Sequence, residues 1–137
     1  MKHLLVVVLM LLLSGCYPPP GHQSYIYFEN SRIGKETASF KPFKFKNAGE
    51  FRRGDFVITG HGITHVDKNQ NGDLVVHWDG QEILPNAALK GNAFAAPAKK
   101  EWIGKCLTYN IVDPKTHIIK SWGFDKGGNP LSCRDWH

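Results

Sequence analysis

At 137 residues the chain has the length of one domain, since single domains usually hold about 100–200 residues. Its 42% hydrophobic and 21% charged residues exclude a collagen-like repeat, a coiled coil and a wholly disordered chain. Seventeen Lys and Arg against twelve Asp and Glu leave a formal charge of +5, which favours anionic partners but falls well short of a polycationic nucleic-acid tail.

The chain begins MKHLLVVVLMLLLSGC. Lys2 and His3 form a short positive start, Leu4 to Leu13 are unbroken apolar residues, and Ser14-Gly15 supply small side chains. A helical span of the ~30 Å hydrocarbon core takes about 20 residues, so this run is too short to cross and reads as a secretion signal over residues 1–15. A buried core helix fits poorly, because no polar residue interrupts the run to give it a solvent face.

Leu13-Ser14-Gly15-Cys16 resembles the lipobox of bacterial lipoproteins, in which the signal is cut immediately before the cysteine. The resemblance implies that Cys16 becomes the first mature residue, carrying a diacylglycerol and an N-linked acyl chain such as palmitate. Each buried methylene contributes roughly 0.8 kcal/mol and two chains suffice for stable anchoring, so three hold firmly to the bilayer. Tyr17 stands where an Asp would imply inner-membrane retention. The resemblance thus places the protein on the outer membrane, lipid-anchored and facing the periplasm. With Cys16 lipidated, Cys106 and Cys133 remain as a natural disulfide pair in an oxidising compartment. A cysteine metal site lacks any CxxC spacing.

Residues 16–24 read as a linker, with Pro18-Pro19-Pro20 holding an extended conformation at ~3.1 Å per residue, and the domain is expected over 25–137. From there the chain predicts short strands and a mainly β fold: a small antiparallel meander or sheet with at most one short helix and one disulfide. Tyr25 to Phe28 is β-prone, and Phe43-Lys44-Phe45-Lys46 alternates with period two. Phe56 to Thr59 is a short β-branched run between glycines. Ile63–Val66 and Leu74–Trp78 flank an Asn/Asp/Gly turn, and Asp79-Gly80 offers a second tight turn into Gln81–Leu84. These predict a three-stranded meander over about 62–84. Pro85 to Lys90 invites a helix that Gly91 would end, and 92–100 reads as a surface crossing.

Leu107–Val112, an Asp113-Pro114-Lys115-Thr116-His117 turn and Ile118–Phe124 predict a hairpin, with Cys106 before its first strand and Cys133 soon after its second. This order of cysteine, strand, aspartate turn, Ile-Ile-x-Ser-Trp, Gly-rich stretch and cysteine resembles the terminal hairpin of small outer-membrane lipoproteins related to the assembly-machine accessory family. That family's helix and WG-x-P region is not visible in the chain.

Asp67, Asn69, Asn71 and Asp73 sit at the alternate oxygen positions of a calcium loop, with Gly72 at the sharp turn. Position twelve of such a loop, normally a bidentate Glu, is Trp78, and Lys68 adds a positive charge. The same residues satisfy a hairpin turn, so no metal is assigned and the calcium set stands second. His61 and His65 at i and i+4 on a strand lie ~13 Å apart, too far to share a zinc. His77 on the next strand can approach one of them, although a surface histidine is the simpler reading.

No G-x-S-x-G elbow and no free cysteine mark a nucleophile, and carboxylate pairs such as Glu29/Glu36 or Asp55/Asp67 have no glycosidase spacing. The sequence therefore predicts no catalytic residues, no enzyme and no cofactor. Lys41, Phe43, Lys44, Lys46, Arg52 and Arg53 form a basic, aromatic stretch. In a cytoplasmic protein it would suggest nucleic acid, a partner the lipid anchor removes. It reads either as an edge strand guarded by Lys, or as an electropositive face for an acidic protein or anionic head groups. Size, anchor and absent catalytic motif resemble immunity lipoproteins encoded beside type VI secretion effectors. That resemblance implies a protein-binding module that neutralises a periplasm-delivered toxin. An accessory subunit of an envelope secretion or assembly complex is the alternative, and a calcium- or zinc-dependent envelope hydrolase the third reading.

Overall fold

The computed structural model describes residues 21–37, 41–42, 51–53, 56–58, 62–85 and 99–134, with backbone alone for 51–53 and 56–58. Outside them lie the signal segment 1–15, Cys16, the triproline, the expected strand 43–46, the expected helix beyond Pro85, most of the crossing 92–100, and His61.

The fold is mainly antiparallel β, as its alternating segments predict. Helix α1 (Gly21–Arg32) precedes strands β1 (Phe51–Arg53), β2 (Phe56–Ile58), β3 (Gly62–Lys68), β4 (Leu74–Ile83), β5 (Gly104–Val112) and β6 (Ile119–Phe124). They form one six-stranded sheet ordered β1-β2-β4-β5-β6. Strand β4 organises it: β3 pairs with its first half, β2 meets it at Val57–Glu82, and β5 lines its other edge. Among the described residues, no helix is long and apolar enough to cross a membrane.

Both hairpin turns use the side chains that the sequence marked. Asn69 Oδ1 accepts from the backbone N–H groups of Asn71 and Asp73, each at 3.0 Å, closing the β3–β4 turn. Asp113 Oδ1 accepts from Lys115 N and Thr116 N, each at 2.8 Å, closing the β5–β6 turn. An Asp or Asn that binds its own following backbone makes such turns without help from tertiary packing.

Three expectations are corrected. First, Tyr25–Phe28 is helix rather than strand, and 21–24, expected in the linker, is that helix's first turn. Aromatic residues favour strands intrinsically, but packing overrides so weak a preference. Here His22 Nδ1 bonds the Cys133 carbonyl oxygen at 2.9 Å, Tyr25 packs edge-on against Trp122, and Glu29 bonds Arg32 one turn on. Gly34, at φ +84°, then turns the chain onto the β6 edge, where Glu36 bridges Ile118. Second, Asp79-Gly80 is no turn. β4 runs through it with a register irregularity, and a Cβ on Gly80 would stand 3.0 Å from the Cys106 carbonyl oxygen, so the glycine permits close strand approach. The meander over 62–84 is therefore two strands. Third, Cys106 lies inside β5 rather than before it.

The core sits on one sheet face, where Ile63, Val76, Val112 and Ile119 are buried with Val66, Leu74 and Trp78 packed against them. Cys106 bonds Cys133 with Cα atoms 4.8 Å apart, as the sequence predicts, which ties the segment after β6 to the middle of the sheet. Asn129 seats that segment: its Nδ2 donates to the carbonyls of Glu101 and Ile103, both at 2.8 Å, and its Oδ1 accepts from Leu131 N at 3.1 Å. Gln81 Nε2 completes the clasp, donating to the carbonyls of Ser132 and Arg134.

Candidate functional site

The opposite sheet face carries a row of side chains running across four strands. Register places His65 of β3 opposite His77 of β4, His77 opposite Tyr109 of β5, and Tyr109 opposite Gly123 of β6. Side chains directly opposite in a sheet share a face, so the row is continuous. Gly123 makes room for it: a Cβ there would fall 2.5 Å from the Tyr109 hydroxyl, so the tyrosine lies over bare backbone.

A bulge sets the row's first member. The register shifts between Ile63 and His65, with Ile63 opposite Trp78 and His65 opposite His77, so Thr64 is one residue extra. Strict alternation would put Ile63, His65 and Asp67 on one face. The extra residue instead sends Ile63 into the core and His65 with Asp67 to the other side. Bulges commonly re-aim a side chain in this way.

His65 and His77 stack with ring centroids 3.9 Å apart and planes within 11°. Asp67 Oδ2 lies 3.2 Å from His77 Nε2 and 3.5 Å from His65 Nε2. Behind them, His77 Nδ1 donates to Asp125 Oδ2. Thr64 Oγ1 sits 2.9 Å from His65 Nδ1 and 3.4 Å from the His77 carbonyl oxygen. His77 is mostly covered, with 15% of its side chain exposed, whereas His65 and Asp67 open to solvent at 56% and 62%. Burial alone would push the Asp125 carboxyl up; bonds from the His77 ring and the Lys126 backbone N–H outweigh it and hold the group below its ordinary value.

The four calcium-loop candidates are not brought together. Asp67 faces the histidines, Asn69 is consumed by its own turn, and Asn71 is exposed. Asp73 is buried against Lys120, whose Nζ reaches both its carboxylate oxygens at 3.0 and 3.1 Å. The loop joins β3 to β4 as a hairpin, with Asn69 engaged in the turn and Asp73 in an ion pair. The group of three His, Asp, Glu or Cys ligands that does converge among the described residues is His65, Asp67 and His77. Sequence reasoning reached half of it, in noting that His77 can approach a neighbour. Asp67 reads in sequence as part of the loop, and Asp125, 48 residues from His77, carries no local signal.

Of the expected partner-binding residues, Lys41 is exposed, Arg52 and Arg53 lie on β1, and Phe43, Lys44 and Lys46 are outside the described residues. A hydrophobic feature the sequence did not mark lies on α1. The helix buries Ser24 and Glu29 and leaves Tyr27 at 75% and Phe28 at 50% exposure. No protein-family model, curated protein or solved structure matches the chain.

Proposed function

We propose that this protein is a lipid-anchored, periplasm-facing binding module without enzymatic activity, and that it neutralises a periplasm-delivered toxin by occupying it. The observation that carries the reading is the inverted helix α1, which turns polar Ser24 and Glu29 inward and two large aromatics outward. Exposed aromatic side chains with few rotatable bonds are the residues that most often anchor protein interfaces. The basic stretch Lys41, Phe43, Lys44, Lys46, Arg52 and Arg53 complements an acidic partner and would speed its capture. The Cys106–Cys133 disulfide supports an oxidising compartment, and it leaves Cys16 as the cysteine for the lipid.

The test is protection. Cells lacking the protein should die when a neighbouring toxin reaches their periplasm, and the full chain should restore survival. Tyr27→Ala/Phe28→Ala should weaken capture of that toxin at least tenfold, and Lys44→Glu/Lys46→Glu should remove the salt dependence of capture. Unaltered survival of deletion cells, or full affinity in both double variants, refutes the reading. The stapled C-terminal hairpin favours a second one, an accessory subunit of an envelope secretion or assembly complex. Stoichiometric co-purification with such a complex, in strains without the toxin, would select it.

A further inference from the structure

The contacts around His65 and His77 gather metal-ligating atoms on the exposed side of the sheet. An ionised carboxylate only accepts, so the bond from His77 Nδ1 to Asp125 puts the ring proton on Nδ1. Nε2 of the same ring faces Asp67 Oδ2 at 3.2 Å, so an ion entering between them would take the place of a proton. His65 is set the same way. Thr64 Oγ1, 2.9 Å from His65 Nδ1 and 3.4 Å from the His77 carbonyl oxygen, holds that ring with its Nε2 facing Asp67 Oδ2 at 3.5 Å. Two imidazole nitrogens and a carboxylate oxygen thus lie together, all within 4.8 Å of one another.

We propose that His65, Asp67 and His77 bind one divalent ion of the zinc class, with Asp125 and Thr64 as positioning residues. The geometry suits that ion. Bonds of about 2.0–2.1 Å in a tetrahedron set ligand atoms about 3.3 Å apart, which matches the two Asp67 separations of 3.2 and 3.5 Å. The donor set, two imidazoles and one carboxylate, suits zinc, copper or nickel; calcium and magnesium ask for a shell of oxygens. A carboxylate holding the remote ring nitrogen of a ligating histidine is the usual support behind such ligands. Closing on one ion requires the two stacked rings, now nearly parallel, to tilt apart until both ring planes meet at the ion. Three protein ligands leave a fourth position for water or for a donor from a bound partner. The site stands on its own geometry, independent of whether the chain captures a toxin.

The test is calorimetric titration of zinc chloride into the full chain, purified in detergent without a histidine tag. The expected result is one saturable equivalent per chain, unaffected by excess calcium, together with a rise in thermal midpoint that chelator reverses. His65→Gln and His77→Gln should each weaken binding at least tenfold, and Asp125→Asn by about 10–100-fold. Asp73→Asn and His117→Gln should leave it unchanged. His65 is exposed, so its variant keeps the fold even if His77→Gln loosens the sheet. Absence of saturable zinc binding, or wild-type affinity in a folded His65→Gln variant, overturns the proposal.

Discussion

Asn129 shows how much one side chain can organise without announcing itself. It joins the segment before β5 to the turn before Cys133 through three side-chain hydrogen bonds, yet in sequence it is one more polar residue in a Gly-rich stretch. Asn129→Ala should cost about 1–3 kcal/mol, because it takes the donor from the half-buried Ile103 carbonyl along with the bonds to Glu101 and Leu131; a urea midpoint equal to wild type would contradict this. Asp113 is the opposite case, a turn aspartate readable from its neighbours. Backbone N–H groups of Thr116 and Lys115 hold its carboxyl below the ordinary value. The sign follows: a depressed folded-state value contributes stability above the unfolded-state value near 4 and loses it as pH falls through the folded one. The thermal midpoint of wild type should therefore drop more steeply below pH 4 than that of Asp113→Asn, and parallel curves would dismiss the effect. Asp125 and Gln81 were illegible for a common reason. Each acts on residues about fifty positions away, and no local pattern encodes such a reach.

Elements were legible where local chemistry settles them. The β3–β4 and β5–β6 hairpins follow from alternation interrupted by Asx turns, and both stand where expected. Helix α1 was not legible, because its aromatic run prefers strands and its buried residues are Ser24 and Glu29 while Tyr27 and Phe28 face out, so no buried apolar stripe repeats at helical spacing. Nor was the Thr64 bulge, since an extra residue in one strand shows only once its partner is in register. The candidate site was half readable for that reason: proximity of His77 to a β3 histidine follows from a hairpin, but which β3 side chains share its face depends on the bulge. The row His65–His77–Tyr109–Gly123 makes a separate prediction. Gly123→Ala pushes a methyl into the Tyr109 hydroxyl and should destabilise the sheet by about 1–3 kcal/mol. Because the Tyr109 ring carbons Cζ and Cε1 also stand 2.7 and 3.0 Å from that methyl, Tyr109→Ala/Gly123→Ala should cost less than the sum of the two single changes, whereas additive costs would show that the tyrosine does not occupy the space.

At the scale of the whole molecule, the covalent staple adds to the cluster of buried aliphatic side chains described on one sheet face. Closing a 27-residue separation contributes about 3–4 kcal/mol in the chain-entropy model, so Cys106→Ser/Cys133→Ser should lose roughly that much, read from denaturant unfolding. A loss below about 1 kcal/mol would mean the fold does not lean on the bond. The β class and the cysteine pair were readable because strands and odd cysteine counts are properties of composition and spacing. The proposed tether and compartment rest on four residues ahead of the domain. The intact mass of the chain extracted from bacterial membranes tests them together. The account predicts a polypeptide starting at Cys16, heavier by a diacylglycerol and an acyl chain, with the mass deficit of a closed Cys106–Cys133 bond. A full-length, unacylated chain carrying both thiols reduced would contradict it.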